Sequence, residues 1–280
     1  MLKRLVNSRL ADPLTVWNRI PFKRRAAVYV TLFDNRQGVL SCLVTVRSKQ
    51  ISYGGDAAFP GGKADDANES PVEVARREAY EEIRFPLGSD LPGGSSIEDI
   101  CMLPAYMSSR FLAVVPCVSY LKVPRDELSR ANIPKFLGKG PWSSEVHSIF
   151  TAPLSSFLTP QFYEYKRENW GGLCFHQHYI KIPPMEKKVG EPDKIVVWGL
   201  TANILIDVAR LVFNREPSMP HRPVGSIGDQ DLLTALIDHG YFDDDIPPKH
   251  INFAKVFAGD PLLHSRSPVA STTPQGPFDA

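Results

Sequence analysis

Between Phe59 and Arg84 the chain passes through a glycine turn and then a segment that places three acids on one side of a helix. The turn reads Phe59-Pro60-Gly61-Gly62-Lys63. Ser70-Pro71 signals the helix start, with serine as cap and proline in the first turn. Val72, Val74, Ala75, Ala79 and Ile83 supply an apolar face, so the spacing predicts a helix over 71–84. Glu78, Glu81 and Glu82 then stand at i, i+3 and i+4, with Cβ atoms roughly 5–6 Å apart.

Like charges at that spacing repel, and the turn costs stability unless a cation lies among them. From Glu69 to Glu82 five acids (Glu69, Glu73, Glu78, Glu81, Glu82) face two bases (Arg76, Arg77), a net of −3. A bare phosphate would be repelled. Hard oxygen donors suit Mg²⁺ or Mn²⁺, ions that can both activate water and neutralise a polyphosphate. An acidic helix face is commonly no more than solvated surface, so the decisive point is the full spacing.

Glu69, Arg77, Glu78, Ala79, Glu81 and Glu82 fall in the register Glu-x7-Arg-Glu-apolar-x-Glu-Glu behind Phe-Pro-Gly-Gly. This resembles the Nudix box. Two positions depart from it. The gap from Gly62 to Glu69 is one residue longer than usual, which implies a longer loop, and Arg84 stands where the family has glycine. Arg84 is expected either to extend the helix toward Phe85-Pro86 or to sit strained at its end.

Upstream, Leu43-Val44-Thr45-Val46-Arg47-Ser48, Gly55 and Phe59-Pro60-Gly61-Gly62 resemble the signature of the coenzyme A diphosphatase branch of that family. Its ends match, whereas its central basic position falls near Ile51 or Ser52 and its spacer differs by one residue. Val39 to Val46 reads as a strand ending in Arg47. An arginine there suits bidentate phosphate binding; an ordinary ion pair is the alternative.

The resemblance spans roughly residues 26–213 and implies an α/β/α sandwich with a mixed sheet. It implies Glu78 and Glu82 as principal metal ligands, with Glu81 completing the set. Arg77 pairs with Glu69 in support, and Arg47, Ser48, Gly61, Gly62 and Lys63 lie along the substrate. The base would be a carboxylate of this cluster or one from a later loop, for which Glu145, at the edge of a strand candidate over 145–150, is the candidate. The implied reaction is hydrolysis of the pyrophosphate of coenzyme A or acyl-CoA, a small nucleotide-like substrate. Other nucleoside diphosphate derivatives (ADP-ribose, NADH, a dinucleotide) share the same chemistry. A non-catalytic Nudix binding module would normally have lost box acids, and all four glutamates are present.

The domain expected is 26–215, preceded by a basic extension over 1–25 and followed by an extension over 216–280, unstructured from about 246. The first 25 residues hold seven bases and one acid, which fits either a presequence or a cationic amphipathic helix near 14–20. From Ile246 onward there are six prolines among Ser and Thr. Four cysteines without a CxxC pair point to free thiols and an intracellular, reducing setting. The ending Phe278-Asp279-Ala280 is not a Ser-Lys-Leu-type peroxisomal address, so cytoplasm, peroxisome and mitochondrion all remain open. A net charge of +1 gives no general pull toward nucleic acid, and no basic patch with interleaved aromatics stands out. No apolar run approaches the ~18 residues of a membrane span.

Elsewhere, strands are expected over 26–33, 100–106, 111–123 and 174–182. Helices are expected over 196–213 and 229–239, with loops over 87–97 and 125–142. Val197-Trp198-Gly199-Leu200-Thr201-Ala202 again resembles the coenzyme A branch. His176 and His178 read as an exposed pair, and Tyr163, Tyr165 and Trp170 as candidates to stack a purine or fill a core.

Overall fold

The computed structural model describes Leu2, Leu5, Ser8 and residues 10–50, 52–86, 91, 94–124, 143–170, 173–183, 194–223, 226–243, 251 and 253–257. The 125–142 stretch expected as a loop and the tail beyond 257 lie outside these residues.

A short helix α1 (Leu14–Trp17) leads into strand β1 (Arg25–Asp34), followed by β2 (Leu40–Arg47), β3 (Ala57–Ala58) and β4 (Gly61–Lys63). Helix α2 (Pro71–Ile83) comes next, then β5 (Ser96–Met102), β6 (Tyr106–Met107), β7 (Ala113–Lys122) and β8 (Val146–Pro153). Strands β9 (Phe162–Trp170), β10 (Leu173–Ile182) and β11 (Ile195–Trp198) precede α3 (Gly199–Phe213), α4 (Asp229–Asp238) and α5 (Phe253–Val256).

The large sheet runs β3-β2-β1-β7-β5, with β8 also on β2 and β6 also on β7. Only β1 and β7 among its described pairs are parallel, and α2 lies on the connection between them. One edge of β1 is shared. Leu32 to Asp34 pair with β2, and Ala26 to Val28 pair with β4. That split brings the glycines of β4 under α2. Strands β11-β10-β9 form a second, antiparallel sheet.

Strand β1 shows why helices are needed on both faces. Ala27, Tyr29 and Phe33 enter one apolar cluster with α1, α2, α4 and α5, while Val30 and Leu32 enter another with α3, β10 and β11. Successive side chains of a strand point to opposite faces, so a strand apolar at both parities must be covered twice. The result is a mixed α/β/α sandwich.

The structure amends four expectations. Ile195 to Trp198 are strand rather than helix; Ile195 and Val197 are buried and the β-branched run pairs with β10, so the helix starts at Gly199. Strand β9 carries no apolar alternation to mark it, because its residues are mostly polar and exposed. In the tail, Phe253, Val256 and Phe257 are buried, with the Phe253 ring 4.7 Å from that of Trp170. His178 is 1% exposed, its Nδ1 2.9 Å from the Tyr163 hydroxyl and its Nε2 2.7 Å from the His221 carbonyl. It is a hydrogen-bonded core histidine, held by burial at a pKa of about 4.

Candidate active site

Helix α2 is fixed at both ends by local bonds. The Ser70 hydroxyl accepts from the Glu73 N–H at 3.3 Å, and the Glu73 carboxylate accepts from the Ser70 N–H at 2.8 Å, a capping box. At the C-terminus the Arg84 N–H reaches the Tyr80 carbonyl and the Phe85 N–H reaches the Ala79 carbonyl, with Phe85 buried beneath. The Arg84 bond is the 5→1 bond of an αL helix ending, and the Phe85 bond closes a wider turn around it. Arg84 occupies its left-handed position, at φ 57 and ψ 35, so the helix stops there. Its guanidinium lies 5.3 Å from the Tyr80 ring centre, an aromatic contact that partly offsets the backbone cost.

Val74, Ala75, Ala79 and Ile83 anchor α2 in the core, and the acids follow from that rotation. Glu78 and Glu82 turn toward β4, whereas the Glu81 carboxylate is 56% exposed. The Gly62 backbone lies so close to Glu78 that a Cβ there would come within 2.3 Å of its Oε1. At Gly61 a Cβ would come within 2.4 Å of the Ala27 carbonyl. The two glycines let strand backbone and carboxylate share the same space.

Arg77 binds the loop to the helix. Its Nε donates to Glu69 at 2.8 Å, one terminal nitrogen to Glu78 at 3.0 Å, and the other to the Lys63 carbonyl at 2.9 Å. Glu69 in turn accepts from the Asp65 N–H, and the Arg77 hydrogen bonds hold its carboxyl below the usual range. Glu81 lies 3.6 Å from Arg77. The Lys63 side chain is exposed; its backbone is what the site uses.

Glu82 is 8% exposed, and its pKa is pushed up to about 8. Burial is the main cause and the Glu78 charge the next, outweighing a hydrogen bond from the Gly61 backbone and the charge of Arg47. Glu78 is also raised, because desolvation outweighs the Arg77 contact. Among the described residues Glu82 makes no ion pair.

Arg47 and Glu145 enter from the other side. The pairing of β2 with β8 shifts register between Val46 and Arg47, the kind of irregularity that re-aims a side chain. The Arg47 guanidinium lies 3.9 Å from Glu145, and its Nε donates to the Ser52 carbonyl at 3.2 Å. Glu145 is carried there by backbone, since the Ser48 N–H donates to its carbonyl at 2.7 Å. Its charge reaches Glu82 and helps raise that group. Gly61, Gly62, Glu78 and Glu82 thus meet between β4 and α2, Arg47, Ser48 and Glu145 meet between β2 and β8, and the charges of Arg47 and Glu145 act on Glu82. Glu69, Arg77 and Glu81 brace α2 on its outer side.

No set of three His, Cys, Asp or Glu side chains among the described residues closes into a metal-binding geometry. The donor set still fits a hard divalent cation. Glu82 is buried and Glu78 partly so, and the Glu78 charge helps raise the Glu82 carboxyl, a repulsion that a cation beside the pair would relieve. The purine-stacking candidates fall elsewhere. Tyr163 and Tyr165 stack on each other, and Trp170 packs on Phe111 and Phe253.

A mixed α/β/α sandwich with a glycine-braced, carboxylate-bearing helix defines a hydrolase class, and the comparisons specify it. The profile of the NUDIX domain matches residues 23–110. The chain is 33% identical over 276 residues to the peroxisomal coenzyme A diphosphatase 1 of Saccharomyces cerevisiae, covering 81% of this chain and 78% of that protein. It is 32% identical over 196 residues to the mitochondrial Nudix hydrolase 15 of Arabidopsis thaliana, covering 70% and 61%. It is 28% identical over 184 residues to a peroxisomal coenzyme A diphosphatase of Mus musculus, covering 65% and 68%. The chain belongs to the Nudix hydrolase family. Among the described residues no helix is long and apolar enough to cross a membrane.

Proposed function

We propose that this chain is a Mg²⁺- or Mn²⁺-dependent hydrolase that cleaves the pyrophosphate of coenzyme A or acyl-CoA. The products would be 3′,5′-ADP and 4′-phosphopantetheine or its acylated form. The observation that carries the reading is Glu82, buried beside Glu78 and facing Arg47. The two relatives named as coenzyme A diphosphatases support the substrate.

In this reading Glu78 and Glu82 would hold the ion, with Glu81 available to complete the set. When bound, the ion would supply charge neutralisation of the pyrophosphate and a more acidic water. Arg47, fixed by the Ser52 carbonyl, presents its remaining N–H groups to a phosphoryl oxygen. A water oxygen bonds to one phosphorus, the bridging P–O bond breaks, and the second phosphate leaves. Glu145, half exposed and beside Arg47, takes the proton of that water. The Arg77–Glu69 pair keeps the β4–α2 loop in place while charge moves. Chemistry of this kind depends mainly on positioning and electrostatic stabilisation.

The test is a substrate panel. Purified protein with Mg²⁺ or Mn²⁺ is given coenzyme A, acyl-CoA, ADP-ribose, NADH and a dinucleotide, and products are resolved by chromatography. Release of 3′,5′-ADP at the highest kcat/KM is expected. Preferred turnover of ADP-ribose overturns the substrate assignment. Absence of turnover in wild type and Glu82→Gln alike overturns the enzymatic one.

A further inference from the structure

The hairpin that holds Arg47 also carries an aromatic side chain that the hydrolytic machinery does not use. Residues 48–56 connect β2 to β3, closed by the Arg47 N–H on the Asp56 carbonyl and the Gly55 N–H on the Arg47 carbonyl, both at 2.9 Å. Tyr53 sits at the tip, 51% exposed and at φ 59. A bulky residue is rarely held in the left-handed region, and such outliers cluster where a side chain has work to do. Gly54 makes the bend possible, since a Cβ there would come within 2.6 Å of Lys49 Cα.

Two more rings meet Tyr53. Trp198, the last residue of β11, lies 6.2 Å from it at a tilt of 57°. Tyr179 of β10 stacks on Trp198 at 5.8 Å and 5°. The register places Tyr179 directly opposite Trp198. The three rings form a partly exposed shelf across two sheets, reached from Arg47 through the adjacent Ser52 carbonyl. Cations flank it: the Arg110 guanidinium lies 5.5 Å from the Tyr53 ring centre, and Lys166 Nζ lies 5.4 Å from that of Tyr179. Both are exposed and able to turn toward a ligand.

We propose that this shelf is the subsite for a purine base bearing a ribose phosphate. The base stacks on Tyr53 and Trp198, and the additional phosphate binds Arg110 and Lys166. Aromatic faces accept any purine, whereas two cations beside them select a phosphorylated ribose over an unphosphorylated one. The inference rests on the reading of the pyrophosphate site above, which places the scissile group next to Arg47. It goes further in assigning the adenosine end and the residues that discriminate it.

The test separates binding from turnover. Full-length protein without added metal is titrated with 3′,5′-ADP and, separately, with AMP, and intrinsic tryptophan emission is followed. Saturable quenching is expected, tighter for 3′,5′-ADP than for AMP, and absent in Trp198→Phe. Tyr53→Ala is expected to raise the Kd roughly 5- to 150-fold, the range for one lost base–aromatic stack. Tyr53→Phe keeps the ring and restores binding. The Arg110→Ala, Lys166→Ala double variant is expected to bring the two Kd values together. Equal affinities for 3′,5′-ADP and AMP in wild type, or an unchanged Kd in Tyr53→Ala, overturn the proposal. So does an oligo(dT) strand that binds more tightly than 3′,5′-ADP. Circular dichroism on each variant confirms folding. Because no hydrolysis is read, a protein that binds 3′,5′-ADP but fails to cleave coenzyme A refutes the reaction and leaves the subsite standing.

Discussion

Glu82→Gln should stabilise the metal-free protein at alkaline pH while abolishing turnover. The carboxyl is 8% exposed and its pKa is pushed up to about 8, from an ordinary value of 4.5. A carboxyl whose folded pKa is raised binds more protons in the native state than in the unfolded one. The folded state therefore loses stability as pH rises from about 4.5 toward 8. At about 1.36 kcal/mol per pH unit the full span approaches about 5 kcal/mol, and from pH 5 to pH 8 the loss is about 3 kcal/mol. Glutamine has nearly the shape of the neutral acid and cannot ionise, so the variant escapes that loss. For a chain of this size about 3 kcal/mol corresponds to a Tm difference of roughly 6–12 °C. The assay is thermal unfolding of wild type and Glu82→Gln in EDTA from pH 5 to 8.5. Wild type should fall below the variant as pH rises, and excess Mg²⁺ should raise wild type selectively. Parallel pH profiles for the two proteins would refute the reasoning, because the burial of Glu82 would then carry no titration.

Gly62→Ala should cut kcat/KM by more than tenfold, since a Cβ 2.3 Å from Glu78 Oε1 must push that carboxylate aside; wild-type kinetics would show that the site has slack. Arg84→Gly should raise stability by about 0.5–1 kcal/mol in chemical denaturation, because glycine occupies φ 57 without strain. A loss would mean that the contact with Tyr80 outweighs the backbone cost. Phe253→Ala should cost about 3–5 kcal/mol, the usual figure for a buried ring. A change below about 1 kcal/mol would show that α5 does not hold the fold together.

Much of helix α2 is readable from local chemistry. Ser70-Pro71, the apolar positions and the Glu78-Glu82 spacing are short-range signals, and capping, periodicity and carboxylate placement depend on residues within a turn or two. Other features are non-local. That Ile195 to Trp198 form a strand depends on β10, whose partner residues are identifiable only once the chain has folded. That Phe253 is core depends on Trp170. His178 looked exposed because strand alternation does not reveal that the His221 carbonyl and Tyr163 cover it.

The same division runs through the site. That Glu78 and Glu82 share a side follows from helix geometry, since 3.6-residue periodicity alone places them there. How strongly they resist ionisation does not. Glu82 is raised because β4 and α2 together exclude water from it, and Arg47 and Glu145 face it because β2 and β8 pair with a register shift. The Tyr53, Trp198 and Tyr179 shelf has no sequence signature, since its rings come from a hairpin and two strands of another sheet. Spacing along one helix encodes the type of chemistry. Burial and the meeting of distant segments, which are properties of the whole packed chain, set the protonation states and the shape presented to a substrate.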